Sequence, residues 1–250
     1  MSDLLVLCYH GISETWPAPT TVKPADFERQ LSEFVRRGYR GATLSEALTV
    51  PPAEKTMVVT FDDAHRSVLE LAAPVMAKLG VPGTIYVPTK YPDSGELMGW
   101  DGYDVWMGTP HESELACMGW EDLRGLATAG WEIGSHTKTH PRLSKTADES
   151  IKTELTESKL ECEEEMGTPC TSIAYPYSDY DDRAVRAAGE AGYRFAVTVP
   201  RGPAPALPLQ WPRVGVYNGD SERKLALRAR ARRLDSPLAV RALQALRGRK

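Results

Sequence analysis

Met57-Val58-Val59-Thr60-Phe61-Asp62-Asp63 is the stretch on which the fold turns. Five uncharged, mostly apolar or β-branched residues run straight into two adjacent carboxylates. An apolar run without polar alternation predicts a strand buried on both faces, as in a parallel sheet. Two carboxylates leaving such a strand repel each other and need a cation or a hydrogen-bond network. The alternative is an exposed turn acid followed by a helix N-cap.

The same grammar repeats to either side. Leu4 to Tyr9 is another short apolar run, stopped by His10-Gly11, and further strands are predicted at 83–87, 131–134, 171–174 and 193–199. Helices are predicted between them. At 24–37, Phe27, Leu31, Phe34 and Val35 recur at helical spacing before Gly38. Others fall at 67–79, closed by Gly80, and at 121–129, 147–166 and 182–191. Strand and helix alternate about seven times, which argues for a parallel α/β fold, with a barrel as the leading architecture for residues 1–221. The rhythm breaks only at 88–118, an insertion with Tyr91, Trp100, Tyr103 and Trp106; a loop that long is functional or disordered.

Composition narrows the class. With 250 residues, 42% hydrophobic and 26% charged, the chain is an ordinary globular protein, not a disordered or fibrous one. No apolar run approaches the roughly 18–20 residues that span a bilayer. The apolar start is too short, and lacks the basic flank, for a secretory signal, so a cytoplasmic location is expected. Cys8, Cys117, Cys162 and Cys170 form no Cys-x-x-Cys pair, which fits a reducing compartment and neither a disulfide framework nor a zinc ribbon.

The net charge of −4 is unevenly spread. Residues 222–250 carry ten Lys/Arg and two acids, a local +8, which leaves −12 on the body. An enzyme of nucleic acids would carry its basic residues on the working surface, so nucleic acid is not expected as a partner. The tail is predicted helical. Its Arg228, Arg230, Arg232, Arg233, Arg241 and Arg247 could give a weak peripheral contact with anionic headgroups at the inner membrane face, or lean on a pyrophosphate; the rival is a solvated helix or frayed end.

Two more signals lie at predicted strand ends, where α/β folds place their sites. Ser135-His136-Thr137-Lys138-Thr139-His140 follows the strand at 131–134. Histidines at i and i+4 face one point if the segment is helical, as metal ligation requires. Two imidazoles and one carboxylate form a facial ligand set with open positions, and the second carboxylate stays free as a base. Ile173-Ala174-Tyr175-Pro176-Tyr177 ends another strand in a Pro-fixed turn. That turn either aims a backbone N–H at an oxyanion or simply packs an aromatic ring.

Taken in order, these segments resemble the polysaccharide deacetylase family of NodB homology, carbohydrate esterase family 4. Thr60-Phe61-Asp62-Asp63, Ser135 to His140 and Tyr175-Pro176-Tyr177 are similar to its first three motifs, and the likeness runs from about Leu4 to Val216. The resemblance implies a distorted (β/α)7 TIM-like barrel and a divalent metal, usually Zn2+, with Co2+, Ni2+ or Mn2+ as alternatives. It also implies Asp63, His136 and His140 as ligands, Asp62 as general base, and the Tyr177 amide as part of the oxyanion hole. The implied reaction is removal of an N-acyl group, N-acetyl foremost, from an amino sugar. The substrates expected are nucleotide- or lipid-linked precursors of a surface polysaccharide such as lipopolysaccharide or O-antigen, or oligosaccharides.

Two departures from the family pattern stand out. Ala174 occupies the place where many members carry an Arg that orients the base, and no histidine follows His140 to serve as the late general acid. A subgroup resembling exopolysaccharide deacetylases offers replacements. Tyr9-His10-Gly11-Ile12 places His10 as the acid, against a core histidine, and Trp211-Pro212-Arg213-Val214 places Arg213 beside the base, against a structural salt bridge. His65 is expected at the surface or as a cap, and His111 in a solvated loop. Trp100, Tyr103 and Trp106 are expected either to stack on a sugar or to form a satellite core. The rivals to deacetylation are a deformylase of the same fold and a non-catalytic binder of glycan precursors that has lost the acid.

Overall fold

The computed structural model describes residues 4–50 and 54–234, with side chains up to Arg230. Nine strands are described: β1 (Leu4–Tyr9), β2 (Arg40–Ala42), β3 (Thr56–Phe61), β4 (Gly83–Val87), β5 (Glu132–Ser135), β6 (Ser172–Ala174), β7 (Phe195–Thr198), β8 (Trp211–Pro212) and β9 (Val214–Gly215). The helices are α1 (Pro24–Arg36), α2 (Leu44–Thr49), α3 (Ala73–Leu79), α4 (Trp120–Thr128), α5 (Asp148–Met166), α6 (Asp182–Glu190) and α7 (Glu222–Leu234). Eight strands pair in the order β8-β7-β6-β5-β4-β3-β1-β9, and β2 pairs with β3 off that path. All these pairings are parallel. The two ends of the order are neighbours in sequence. β8 and β9 are halves of one stretch separated by Arg213, whose N–H still donates to the Thr198 carbonyl at 2.8 Å. The sheet therefore closes to within one residue, and counting that stretch once gives the expected seven-stranded (β/α) barrel.

The apolar runs hide a period of two. Leu5, Leu7 and Tyr9 of β1 and Met57, Val59 and Phe61 of β3 join Phe27, Leu31 and Phe34 of α1 in the outer core. The alternate residues Val6 and Val58, with Tyr86 of β4, join Leu44 and Ala47 of α2 in a second cluster. Inward-facing residues thus fill the barrel and α2 plugs one end of it. Ser45 of α2 is tied there by Glu132, which accepts from its N–H at 2.8 Å and its hydroxyl at 2.7 Å. Burying each large apolar side chain contributes roughly 1.5–3 kcal/mol. Gly83 is required where it stands, because a Cβ there would lie 2.3 Å from the Trp131 ring.

The helix predicted at 67–79 starts as a π-helical turn, Val68–Ala72, before α3; Gly80 closes it at φ 65°. Helix α2 and the short β2 have no counterpart in the sequence reading. The insertion folds on short 3-10 turns at Asp104–Trp106 and Glu112–Leu115. It packs Tyr91, Met98, Tyr103 and Leu115 around Trp16. Helix α7 buries Leu225 and Ala229. Arg228 is engaged by the Gly215 carbonyl and the Asp220 carboxylate, so this arginine is not free for an external anion. Residues 235–250 of the predicted basic tail, with Arg241 and Arg247, lie outside the described residues. Among the described residues, no helix is long and apolar enough to cross a membrane.

Candidate active site

The three motif segments meet at the C-terminal ends of β3, β5 and β6. Each arrives on strained backbone. Asp63, Ala64, Thr137, His140, Tyr177 and Ser178 are six of the seven non-glycine residues with positive φ among those described. Each such residue costs on the order of 1–3 kcal/mol and persists only where its surroundings over-determine it. The His136–His140 segment is therefore a loop, not the helix that would put i and i+4 on one face. Convergence comes from the loop's own hydrogen bonds. Ser135 Oγ accepts from Thr137 N–H at 3.0 Å, and Thr137 Oγ1 accepts from His140 N–H at 3.1 Å. Glu154 of α5 accepts from Lys138 N–H and Thr139 N–H at 2.9 and 2.8 Å.

Asp63, His136 and His140 come together as a buried cluster with ligand atoms within 4.8 Å of one another. His136 Nε2 lies 3.3 Å and His140 Nε2 3.4 Å from Asp63 Oδ1. That oxygen is buried and has no hydrogen-bond partner. The residues fit a divalent ion: tetrahedral bonds of about 2.0–2.1 Å place ligand atoms about 3.3 Å apart. His136 Nδ1 faces the Ala174 carbonyl at 2.8 Å, which only accepts, so its hydrogen sits on Nδ1 and Nε2 is left as a donor atom. Burial and the neighbouring His136 push His140 down to about 3, which keeps its ring neutral, as a ligand must be. Burial alone would raise Asp63; the imidazoles of His136, His65 and His140 outweigh it and hold the carboxyl well below the usual carboxylate range.

Asp62 points to the other side. Arg213, 1% exposed, reaches it with both terminal nitrogens, Nη1 at 2.6 Å from Oδ1 and Nη2 at 2.7 Å from Oδ2, while Nη1 also donates to Thr60 Oγ1. Burial pushes Asp62 up, but the guanidinium charge and His136 overcome it and the carboxyl falls to about 2. Such bidentate pairing fixes the plane of the carboxylate. This guanidinium comes from the residue that joins β8 to β9, while Ala174 at the end of β6 offers none. His10 follows β1 and lies within 4.8 Å of Cys8 and Asp62, with its Nδ1 buried and unpartnered. Burial lowers its pKa against the opposing pull of Asp63 and Asp62.

Tyr177 adopts φ 56° and ψ 4°, and its ring meets His140 edge-on at 4.6 Å under the Arg142 guanidinium. His65 is not a surface residue: it is fully buried, with Nδ1 2.9 Å from the Glu114 carbonyl and Nε2 2.8 Å from Tyr103 Oη. The surface expectation failed because the insertion folds back over it. His111 is half-buried in the insertion, edge-on to Trp106 at 5.7 Å. Trp100 stacks on His140 at 3.9 Å and Tyr103 donates to Asp63 Oδ2 at 2.7 Å. Sequence reasoning missed Cys8 and Glu154, and read Tyr103 as a sugar-stacking or satellite-core residue without its contact to Asp63. Cys8 was legible, since it pairs in register with Thr60 and shares the inward parity of Val6 and Val58. Nothing local marks Glu154 or the reach of Tyr103 to Asp63.

The polysaccharide deacetylase family model matches residues 49–196, more than half of the chain, and the chain belongs to that family. A curated relative is YxkH of Bacillus subtilis (strain 168), which carries the family's name; it is 28% identical over 208 residues, 81% of this chain and 67% of YxkH. Among solved structures, the deacetylase PplD of Streptococcus pyogenes in complex with acetate superposes with a TM-score of 0.76 at 23% identity, over 90% of this chain and 97% of PplD. IcaB from Ammonifex degensii gives 0.73 at 22% identity, over 92% and 97%. At those identities the structural likeness speaks for the fold, a nearly closed (β/α) barrel.

Proposed function

We propose that this chain is a metal-dependent carbohydrate N-deacetylase that releases acetate from an amino sugar. Nucleotide- or lipid-linked precursors of a surface polysaccharide are the substrate class to test first. The observation that carries the reading is the contrast at Asp62-Asp63: one buried carboxylate oxygen, without a hydrogen-bond partner, faces two imidazole nitrogens at 3.3 and 3.4 Å, beside a second carboxylate pinned by Arg213. Family membership supports a hydrolase, and the likeness to PplD, solved with acetate, supports acetyl as the acyl group. The positions of His10 and Arg213 beside Asp62 support placement in the exopolysaccharide-deacetylase-like subgroup.

In this reading Asp63, His136 and His140 hold a divalent cation, with Zn2+ first and Co2+, Ni2+ or Mn2+ as alternatives. When bound, the cation supplies Lewis-acid polarisation of the amide carbonyl and acidifies water. Asp62, kept ionised and oriented by Arg213, takes a proton from the attacking water. The Tyr177 amide donates to the developing oxyanion, a contact worth about 3 kcal/mol. His10 protonates the departing amine. Since burial disfavours a standing imidazolium, the proton it delivers is the one Asp62 has just accepted, and the base is restored as the amine leaves.

Metal analysis of the purified chain, followed by acetate and formate release assays on amino-sugar nucleotides, lipid-linked amino sugars and oligosaccharides, tests the reading. Acetate release that is lost on chelation and restored by added metal is the expected result. Formate release would replace the acyl group, and metal without turnover on any of these would leave a glycan-precursor binder. Retention of Asp62 speaks against that last outcome, because a ligand set alone has no use for a base.

A further inference from the structure

The inference rests on the reading of Asp63, His136 and His140 as a cation site, and concerns what shapes it. A carboxylate with two free oxygens can close on a cation through both or swing away from it. Asp63 has no such freedom. Its Oδ1 faces the imidazoles, and its Oδ2 accepts from Tyr103 Oη at 2.7 Å. Tyr103 belongs to the 88–118 insertion, far from every motif in sequence.

The phenol is itself fixed from several directions. Its ring is buried and stacks against Trp100 at 5.3 Å, with Trp16 at 5.6 Å. His65 Nε2 stands 2.8 Å from its oxygen, and the other ring nitrogen of His65 donates to the Glu114 carbonyl at 2.9 Å. The insertion's exit is stitched to the loop that carries Asp63. Arg66 N–H donates to Ala116 O and Met118 N–H to Ala64 O, both at 2.9 Å. Carboxylate, phenol, imidazole and carbonyl thus stand in one buried row of close contacts running from the site into the insertion.

We propose that Tyr103 is a positioning residue: by holding Asp63 Oδ2 it makes the carboxylate offer Oδ1 alone to a divalent cation, so the insertion prebuilds the ligand set. A carboxylate gripped on one oxygen binds through the other and loses little rotational freedom on doing so. Outer partners of this kind change metal affinity by about 10–100-fold when removed.

The test is a metal titration of the chelator-stripped full chain, with Co2+ followed by its visible absorption and Zn2+ by competition against a chelator. Tyr103→Phe keeps the ring and its packing. It is expected to raise Kd about 10–100-fold and to shift the Co2+ absorption bands as the carboxylate changes its mode. Trp106→Phe, in the same aromatic cluster but touching no ligand, is expected to leave both unchanged. If Tyr103→Phe fails to fold by circular dichroism, His65→Gln loosens the same phenol and is expected to weaken binding in the same direction. Wild-type affinity and an unaltered Co2+ spectrum in the folded variant would overturn the role of Tyr103 alone. A wild-type chain that binds neither metal would overturn the ligand reading itself, and this inference with it.

Discussion

Asp62 and Asp63 are consecutive in the chain and alike in burial, yet the fold treats them as opposites. Asp62 has both oxygens occupied by a guanidinium, and a thiol from Cys8 stands 3.4 Å from Oδ2. Asp63 has one oxygen held by a phenol and the other left bare among imidazoles. The adjacent strand end sends one side chain to each partner because Asp63 takes φ 70°, which breaks the alternation of the strand. Two charges that repel in sequence are thereby separated into a satisfied anion and an unsatisfied one. An unsatisfied buried anion is the costly state, and it persists where something else is meant to bind.

That division can be broken from either side. The largest effect is expected from Asp63→Asn, which should abolish both metal content and turnover; metal analysis and acetate release measure the two together. Asp62→Asn should keep the metal and lower kcat by about two to four orders of magnitude. Retained activity in Asp62→Asn would erase the distinction between ligand and base. His10→Ala is expected to lower kcat within the same range of about 10²–10⁴-fold, with metal content unchanged, and an unaltered rate would return the acid to another group.

Arg213→Met sharpens the comparison through stability. Removing one partner of a buried ion pair costs about 3–5 kcal/mol, because the other charge stays buried and unpaired. Its pH dependence has a definite sign. In the native protein Asp62 titrates near 2, below the ordinary 3.8, so its contribution is complete above about pH 4 and is lost as pH falls towards 2. Without the guanidinium, burial, the largest single influence on this carboxyl, is no longer outweighed and raises it, so the variant regains stability as the pH falls. The gap in Tm between wild type and Arg213→Met should therefore narrow as the pH falls, starting above about pH 4 where the raised carboxyl of the variant takes up its proton and continuing towards pH 2 as wild type loses its own contribution. A gap that stays constant would mean that Arg213 packs but does not set the charge of Asp62.

Most of the barrel could be read from local pattern. Apolar runs bounded by Gly and Pro located β1, β3, β4, β5, β6 and β7 within a residue or two, since a strand buried on both faces has nowhere to hide a charge. The two-part strand β8–β9 escaped that reading. Its residues pair with different neighbours on either side of Arg213, and only the closing of the sheet makes them strands. Short β2 escaped for the same reason; α2 had a local signal that went unread, the capping box of Thr43 and Glu46.

The candidate site divides along the same line. Sequence by itself singled out the candidate residues at the strand ends, Asp62, Asp63, His136, His140 and Tyr177, because strand ends and residue spacing are local properties. It also singled out His10 and Arg213. Tertiary structure alone decided the bidentate geometry of Arg213 on Asp62 across 151 positions, and the reach of Tyr103 to Asp63 and His65 from an insertion that looked like loop. A side chain's partner depends on where the closed sheet and the packed insertion bring it, and no period in the sequence encodes that distance.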